Sequence, residues 1–304
     1  QVNDAKNIFK CFGCGKGGDA IRFVMMHERL EFIPAIEHIA AKCGIELELE
    51  EVPDQEKYKE QQDAKEVLYQ VLDRSVEGYR KMLWDLTADH AVKKYLASRG
   101  YTEEWISEWQ LGWAGTDWKG ISPHLVSAGF YEAGTKLGLI KRAKNDSNYY
   151  DGYRSRIIFP IENRAGRTVG MGGRYIELLE EDKGKNYPKY INSPENEIYQ
   201  KNRVLYGYSR AAKAIRERGF AWLVEGYFDV MGMHRLDEIN TVGTCGTALT
   251  TDQARMLIND CKEIRLLRDG DAAGRKAAVR DMEILLQLGF KVTISLLPDG
   301  VDPD

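Results

Sequence analysis

The C-terminal third of the chain opens with the segment Phe220-Ala-Trp-Leu-Val-Glu-Gly-Tyr-Phe-Asp229. Its first five residues predict a buried strand, and the residues from Phe228 to Leu236 predict a helix. The same alternation continues along the chain, with further predicted strands and helices at Ile239–Val242, Thr251–Asn259, Glu263–Leu267, Ala272–Leu288 and Val292–Leu296. Alternation of this kind indicates a small parallel sheet with right-handed crossovers.

Carboxylates follow the predicted strands at the points where the strands end. Glu225 comes directly after the first strand, and the others follow later strands: Asp269 and Asp271 the third, Asp302 and Asp304 the last. In a parallel sheet these ends lie along one edge, where the sites of α/β proteins form. Carboxylates gathered there repel one another unless divalent cations neutralise them, and oxygen ligands suit Mg²⁺ or Mn²⁺. The pattern predicts metal-assisted phosphoryl transfer, although a single Asp-x-Asp is more often an exposed turn.

The composition indicates a folded chain that is long enough for about two domains. The 304 residues are 43% hydrophobic and 30% charged. The sequence has no apolar run of roughly 18 residues and no secretion-signal pattern, so we expect neither a membrane span nor export. Its five cysteines are odd in number and mostly scattered, which argues against a disulfide framework and favours a reducing, cytoplasmic location.

Positive charge is concentrated in one stretch of an acidic chain. The formal net charge is −4, but residues 141–213 contain fifteen Lys and Arg against nine Asp and Glu, a local excess of +6. Two strands are predicted there, Arg156–Ile161 and Thr168–Arg174, with a turn at Asn163–Gly166. A positive surface beside an acidic one suits an enzyme that binds phosphates and uses metal ions. A solvated surface of mixed charge is the simpler alternative.

The N-terminal segment Lys10-Cys11-Phe-Gly-Cys14-Gly15 carries half of a tetrahedral metal site. Its Cys-x-x-Cys spacing and its glycines fit a zinc knuckle, which needs four ligands. A redox pair of cysteines is the alternative, and it lacks the preceding strand that such a motif needs. Helices are predicted after the knuckle and in the middle of the chain, at Ala20–Arg29, Pro34–Cys43, 50–85, Ala88–Ser98 and Thr102–Trp109.

These motifs resemble those of the DnaG-type primase family over nearly the whole chain. The N-terminal run is similar to the second half of the family's zinc ribbon, in which an upstream Cys and His complete the site. Four motifs are similar to the N-terminal half of the family's catalytic core: Arg-x-Arg-Ile-Ile-Phe-Pro-Ile at 154–161, Gly-Met-Gly-Gly-Arg at 170–174, Pro-Lys-Tyr-Ile-Asn-Ser-Pro at 188–194 and Lys-Asn-Arg-Val-Leu-Tyr-Gly at 201–207. The acidic segment resembles the Toprim domain, which this family shares with type IA and II topoisomerases and several nucleases.

The resemblance implies roles for individual residues. The catalytic metal ligands of Toprim domains match Glu225, Asp269 and Asp271, and the primase version adds carboxylates that match Asp229, Asp302 and Asp304. Two zinc ligands match Cys11 and Cys14. Candidates for contacts with the template and the nucleotides are Arg154, Arg156, Arg174, Lys189 and Lys201. Arg268 departs from the family's pattern, in which a neutral or aromatic residue is more usual.

The resemblance also implies the fold class and the domain organisation. We expect a mixed α/β chain in which a Rossmann-like parallel Toprim sheet is preceded by a basic α+β subdomain and a partial zinc ribbon. The expected parts are the C-terminal half of the zinc ribbon (1–50), a helical linker (51–85), the basic subdomain of the catalytic core (86–213) and a Toprim domain incomplete at its C-terminus (214–304). The chain is therefore interpreted as a fragment shortened at both ends.

The implied function is DNA primase activity, the synthesis of short RNA primers on single-stranded DNA. The implied cofactors are Mg²⁺ or Mn²⁺, with Zn²⁺ in the full-length protein. The implied partners are the DNA template, ribonucleoside triphosphates and a replicative helicase that binds a C-terminal region beyond this sequence. The alternatives are a phage-type primase-helicase fragment, another Toprim enzyme such as a topoisomerase or nuclease, and a zinc-ribbon scaffold protein with a degenerate acidic domain.

Overall fold

The structure is a computed structural model. It describes residues 1–3, 7–11, 13, 15–28, 30–47, 55–143, 148–178, 184–246, 248–268 and 271–297. The chain forms two compact units, Gln1–Gln61 and Gln62–Asp304. Among the described residues, no helix combines the length and the apolar character needed to cross a membrane.

The N-terminal unit contains a small antiparallel sheet and two amphipathic helices. The sheet order is β1-β2-β3, with bounds Val2–Asn3, Ile8–Lys10 and Gly17–Gly18. Helices α1 (Ala20–His27) and α2 (Phe32–Cys43) confirm the two helices predicted there within a few residues. The Asp19 side chain caps α1 by accepting from Arg22 N at 2.8 Å, and Phe9 packs against Phe23 with 5.2 Å between ring centroids.

Helices α3 (Gln55–Trp84), α4 (Ala91–Ser98) and α5 (Glu103–Glu108) confirm the helices predicted in the middle of the chain. The predicted start of α3 at residue 50 lies outside the described residues. Helix α4 begins three residues later than predicted because His90 forms its N-cap: the His90 side chain accepts from Val92 N at 3.2 Å. Thr102 caps α5 as predicted.

The basic stretch folds around an antiparallel sheet of order β4-β7-β8-β9, with bounds Gly112–Trp113, Arg156–Glu162, Thr168–Tyr175 and Tyr190–Asn192. The predicted pair of strands corresponds to β7 and β8, which pair from Arg156 opposite Tyr175 onward. The sequence did not predict the surrounding elements, which are α6 (Ser122–Ser127), α7 (Tyr131–Lys136), the β5-β6 pair (Ile140–Arg142, Tyr149–Asp151) and α8 (Tyr208–Arg218).

The acidic stretch forms the parallel sheet that the alternation predicts. Its order is β11-β10-β12-β13, with bounds Thr241–Gly243, Phe220–Val224, Glu263–Arg268 and Lys291–Leu296, and every neighbouring pair is parallel. The intervening helices are α9 (Tyr227–Arg235), α10 (Thr251–Leu257) and α11 (Ala272–Gln287). From β10 the chain continues to β11 at one edge of the sheet, and from β12 it continues to β13 at the opposite edge. The carboxyl ends of β10 and β12 therefore form a topological switch point, where α/β proteins place their sites.

The antiparallel and parallel sheets share one hydrophobic core. The ring of Phe159 on β7 stacks on Tyr227 of α9 with centroids 4.8 Å apart and meets Phe228 edge-to-face at 5.0 Å. Buried residues of α4, α5, β10 and β12 join the same cluster, and they include Leu96, Ile106, Val224 and Leu267. Because these side chains interdigitate, the basic and acidic stretches are fixed relative to each other within residues 62–304.

Candidate functional site

Glu225 stands at the carboxyl end of β10, on the switch point of the parallel sheet. Its side chain is 46% exposed, and its carbonyl oxygen accepts from Cys245 N at 2.8 Å. Cys245 lies in the loop after β11 and has a positive φ of 49°, so this loop is folded back over the end of β10. The carboxylate is thus presented to solvent from a backbone that two neighbouring strands hold in place.

Two further carboxylates cap helices near this edge. Asp229 is the third residue of α9, and its Oδ2 atom accepts from Gly226 N at 2.7 Å. Asp271 is the N-cap of α11, and its Oδ1 atom accepts from Gly274 N at 2.7 Å. Each carboxylate is oriented by a backbone hydrogen bond before any ligand binds.

The other predicted metal ligands, Asp269, Asp302 and Asp304, lie outside the described residues. In the part of the chain that the structure describes, no three His, Cys, Asp or Glu side chains are grouped closely enough to hold a metal ion. The donors that are described, Glu225, Asp229 and Asp271, offer only carboxylate oxygens. This donor chemistry fits a hard divalent cation such as Mg²⁺ or Mn²⁺.

Arg156 and Arg174 lie on the two central strands of the antiparallel sheet. The side chain of Arg156 is buried and its Nη1 atom donates to the carbonyls of Gly173 at 3.0 Å and Lys189 at 3.4 Å. Burial lowers the pKa of the Arg156 guanidinium from its usual value. The Arg174 guanidinium lies over the ring of Tyr95 at 4.6 Å and 5.6 Å from the ring of Phe228, the residue before Asp229. Arg174 is therefore packed against α9, the helix that carries Asp229.

Lys189 and Lys201 lie on the segments that follow the antiparallel strands. Lys189 is exposed just before β9, and its carbonyl accepts from Tyr175 N at 2.9 Å. Lys201 is half-buried, and its carbonyl accepts from Gln253 Nε2 at 3.0 Å. Lys201 also lines a small cavity together with Tyr199, Tyr227, Thr244 and Cys245.

Arg154 belongs to an exposed aromatic cluster that the sequence analysis missed. Its guanidinium lies 4.3 Å from the ring centroid of Trp118, which is 55% exposed. Lys119 lies 4.8 Å over the ring of Tyr149, and Trp118 meets Tyr150 edge-to-face at 5.6 Å. The local sequence Thr-Asp-Trp-Lys-Gly has no helical or strand pattern and ends in glycine, which indicates a loop, and loops lie at the surface.

Asn192 connects the antiparallel sheet to the acidic edge by two hydrogen bonds. Its Nδ2 atom donates to the carbonyl of Cys245 at 2.8 Å, and its Oδ1 atom accepts from the hydroxyl of Tyr227 at 2.7 Å. Tyr227 is fully buried, and burial raises the pKa of its hydroxyl well above the usual value. Cys245 contacts Glu225 through its amide, and Tyr227 lies two residues after Glu225 in the chain, so Asn192 helps to hold the backbone around that carboxylate.

In the N-terminal unit, Cys11 lies exposed at the end of β2. Its carbonyl accepts from Gly15 N at 2.9 Å and its amide donates to Lys16 O at 2.7 Å, so the backbone forms a tight turn at the predicted knuckle. Cys14 lies outside the described residues. The zinc-ligand roles of both cysteines remain predictions.

Three family models match consecutive parts of the chain. They are the CHC2 zinc finger at residues 1–55, the N-terminal domain of the DNA primase catalytic core at 79–212 and a Toprim-like domain at 222–304. The zinc-finger and Toprim-like matches point to binding of zinc and of a divalent metal. The DNA primase of Halalkalibacterium halodurans is 35% identical over 306 residues, which cover 100% of this chain and 49% of that protein.

Solved structures show the same similarity. A crystal structure of the zinc-binding and RNA polymerase domains of the Aquifex aeolicus primase has a TM-score of 0.68 and 35% identity, covering 99% of this chain and 70% of that one. A DnaG primase catalytic domain bound to single-stranded DNA has a TM-score of 0.70 and 30% identity, covering 80% of this chain and 76% of that one. The chain spans about half the length of the curated relatives it matches.

The fold, the acidic edge and these matches define a protein that joins a zinc ribbon to a basic catalytic-core domain and a Toprim domain. The chain belongs to the family of bacterial DnaG-type DNA primases.

Proposed function

We propose that this chain forms the zinc-ribbon and RNA polymerase parts of a DNA primase, which joins ribonucleotides into short primers on a single-stranded DNA template. The observation that carries the proposal is the placement of Glu225 and Asp271 at the switch point of a parallel sheet whose core is shared with a basic antiparallel sheet. An acidic edge suits the catalytic metals, and the basic sheet suits the phosphates that react there.

The acidic edge would assemble the reaction centre. Divalent metal ions supply activation of the attacking 3′-hydroxyl and stabilisation of the leaving pyrophosphate when they are bound. Glu225 and Asp271 would hold these ions, with Asp229 and the predicted ligands Asp269, Asp302 and Asp304 beside them. We propose Mg²⁺ or Mn²⁺ for this edge and Zn²⁺ for Cys11 and Cys14 because thiolates prefer the softer ion.

The basic sheet and the Trp118 cluster would bind the nucleic acid and the nucleotides. Arg174, Lys189 and Lys201 are proposed to contact phosphates near the acidic edge. Arg156 would act through the backbone of Lys189, to which it donates. Trp118 would stack on a template base while Arg154 binds the adjoining phosphate. A similar solved domain is bound to single-stranded DNA, which supports this part of the proposal.

The remaining partners follow from family membership. We propose that the protein works in the cytoplasm with ribonucleoside triphosphates as substrates, and that a replicative helicase recruits it through a region beyond this sequence. This part of the proposal rests on the resemblance and on no contact in the structure.

The first test is primer synthesis with radiolabelled ribonucleotides and Mg²⁺ on single-stranded DNA, using the complete protein that contains this chain. Glu225→Gln and Asp271→Asn should abolish the short RNA products, since each removes a charge from the acidic edge while keeping the side-chain shape. Glu217→Gln is the matched control because Glu217 is 64% exposed and pairs with Lys213 on α8. Metal-dependent cleavage of the DNA without RNA products would instead support the nuclease alternative.

The second test concerns the template. Trp118→Ala should weaken binding of single-stranded DNA about 5- to 150-fold, because stacking of one base on an aromatic ring contributes about 1–3 kcal/mol. Trp118→Phe keeps an aromatic face and should retain most of the affinity. Fluorescence anisotropy with a labelled oligonucleotide measures both. Equal affinity of the alanine variant and the parent protein would exclude Trp118 from the template site.

A further inference from the structure

Arg268, the last residue of β12, is a charged side chain in the interior of the parallel sheet. Its side chain is 1% exposed, and it is the largest of the fully buried side chains among the described residues. A guanidinium stays protonated in proteins, so its burial requires compensating partners. Those partners determine the orientation of the guanidinium group.

Helix α11 and strand β10 hold the guanidinium on two sides. Arg268 Nη2 donates to Asp281 Oδ2 at 2.7 Å, and Asp281 is itself 2% exposed. Arg268 Nη1 donates to the carbonyls of Leu223 at 3.1 Å and Leu267 at 3.2 Å. The bond to Leu223 fixes the guanidinium against the backbone of β10, the strand that ends just before Glu225.

The remaining nitrogen of the guanidinium lies beside Glu225. Arg268 Nε is 3.5 Å from Glu225 Oε1, and within the described part of the chain this buried atom has no hydrogen-bond partner. The two terminal nitrogens of Arg268 already donate to other partners, and Nε lies next to one oxygen of the half-exposed Glu225 carboxylate. Because Asp281 neutralises most of the positive charge, Arg268 attracts Glu225 at short range and repels a more distant cation only weakly.

We propose that Arg268 is a positioning residue for Glu225. It holds Oε1 and so directs the other carboxylate oxygen toward the catalytic metal, and Asp281 holds Arg268 in turn. The inference rests on the proposed function of Glu225 as a metal ligand. Groups that orient a metal ligand in this way contribute about 10- to 100-fold to metal affinity.

Direct Mn²⁺ binding tests the inference without nucleic acid or nucleotides, by electron paramagnetic resonance of the free ion with the complete protein. The principal variant is Arg268→Met with Asp281→Leu, which removes the whole buried pair and leaves neither charge alone. It should bind Mn²⁺ about 10-fold more weakly while its thermal unfolding temperature stays near that of the parent protein. A second variant, Arg268→Gln with Asp281→Asn, keeps a neutral hydrogen-bonding pair and should lose affinity similarly.

Two further variants complete the design. Arg280→Met is the matched control, because Arg280 is 51% exposed and pairs with the other oxygen of the same carboxylate, Asp281 Oδ1, at 3.0 Å. It should leave Mn²⁺ affinity unchanged. Arg268→Lys keeps the charge but loses the planar guanidinium, so this variant should retain only part of the Mn²⁺ affinity of the parent protein.

Unchanged or tighter Mn²⁺ binding by a folded variant of the Arg268–Asp281 pair would overturn the inference. Glu225→Gln separates this failure from a failure of the proposed function. If Glu225→Gln weakens Mn²⁺ binding and the pair variants do not, the role of Arg268 is wrong and the metal site stands. If Glu225→Gln binds Mn²⁺ like the parent protein, the metal site proposed for Glu225 is wrong and the inference falls with it.

Discussion

Replacing Asn192 by alanine should destabilise the unit formed by residues 62–304 and displace Glu225. The substitution removes the donor to Cys245 O and the acceptor of the Tyr227 hydroxyl, bonds of 2.8 and 2.7 Å. Asn192 itself is half-buried, so water can reach part of the space that it leaves. Tyr227 is 1% exposed, so its hydroxyl would stay inside the core without a partner.

The two kinds of loss have different magnitudes. A hydrogen bond contributes about 1 kcal/mol net, whereas a buried polar group left without a partner costs about 1–3 kcal/mol. Together they predict that Asn192→Ala lowers the free energy of unfolding by about 2–4 kcal/mol. Tyr227→Phe, which removes only one bond, should cost about 1 kcal/mol. The double variant loses both bonds but leaves no buried hydroxyl without a partner. Its loss should therefore be about 2 kcal/mol, which is about 1–3 kcal/mol smaller than the sum of the single losses.

Urea unfolding followed by tryptophan fluorescence measures these losses. All six tryptophans lie between residues 84 and 222, so the signal reports on the larger unit. Asn202→Ala is the control, because Asn202 is exposed and, within the described ranges, its side chain makes only a long hydrogen bond of 3.4 Å to Asp252. It should change the free energy of unfolding by less than about 0.5 kcal/mol.

Additive losses would refute the reasoning, since they would show that Tyr227 and Asn192 contribute independently. A loss below about 0.5 kcal/mol for Asn192→Ala would do the same, because it would place the Tyr227 hydroxyl in contact with water. In the primer assay, Asn192→Ala should reduce synthesis even at temperatures where the variant is fully folded. The reason is that the Tyr227 side chain and the Cys245 carbonyl each lose a contact, and the amide of Cys245 donates to Glu225 O.

Three further predictions concern stability. Burial lowers the pKa of His234 to about 4, so below pH 6.5 the imidazole binds a proton in the unfolded chain before it does so in the fold. The free energy of unfolding should therefore fall by up to about 3 kcal/mol as the pH drops from 6.5 toward 4. His234→Gln should flatten this pH dependence in urea titrations. Gly172→Ala places a methyl group against the phenol ring of Tyr227, so it should cost about 1–3 kcal/mol. Asp151→Ala removes the carboxylate that accepts three backbone N–H groups at 2.9 Å, so it should cost about 3 kcal/mol or more, and Asp151→Asn less.

Each of these predictions has an outcome that would contradict it. Parallel pH profiles for His234→Gln and the parent protein would mean that the histidine titrates normally in the fold. A neutral Gly172→Ala substitution would mean that the Tyr227 ring can move aside without breaking its bond to Asn192. Equal stability of the alanine and asparagine variants of Asp151 would show that the three amides find other acceptors.

The sequence was sufficient to predict the parallel sheet and the placement of Glu225. Strand patterns of four or five residues alternated with helical patterns there, and Glu225 followed the apolar run Phe220–Val224 directly. The predicted strand at 239–242 begins instead at Thr241, because Asp237 takes a positive φ of 64° and the Arg218 guanidinium binds Glu238 and Asn240 in the preceding turn. Such a turn depends on a partner twenty residues away in the chain and leaves no local pattern.

The contacts around the site could not be predicted in the same way. The role proposed for Arg268 depends on Asp281, which lies 13 residues later on the helix that follows β12, and no periodicity connects the two residues. The sheet partners of β7 and β8 were missed because β4 and β9 span only two and three residues. Strands this short derive their stability from the neighbouring strand and not from their own sequence.

The shared core of the two sheets limits where such proteins can be joined to parts of other enzymes. The family matches meet between residues 212 and 222, a point that would invite a chimaera carrying the Toprim-like part of another enzyme. Phe159, Tyr227 and Phe228 pack across that junction. A foreign Toprim part would have to supply rings in place of Tyr227 and Phe228, or the graft would leave Phe159 exposed to water and prone to aggregate. Sequence profiles divide this polypeptide at a place where a protein engineer should not cut.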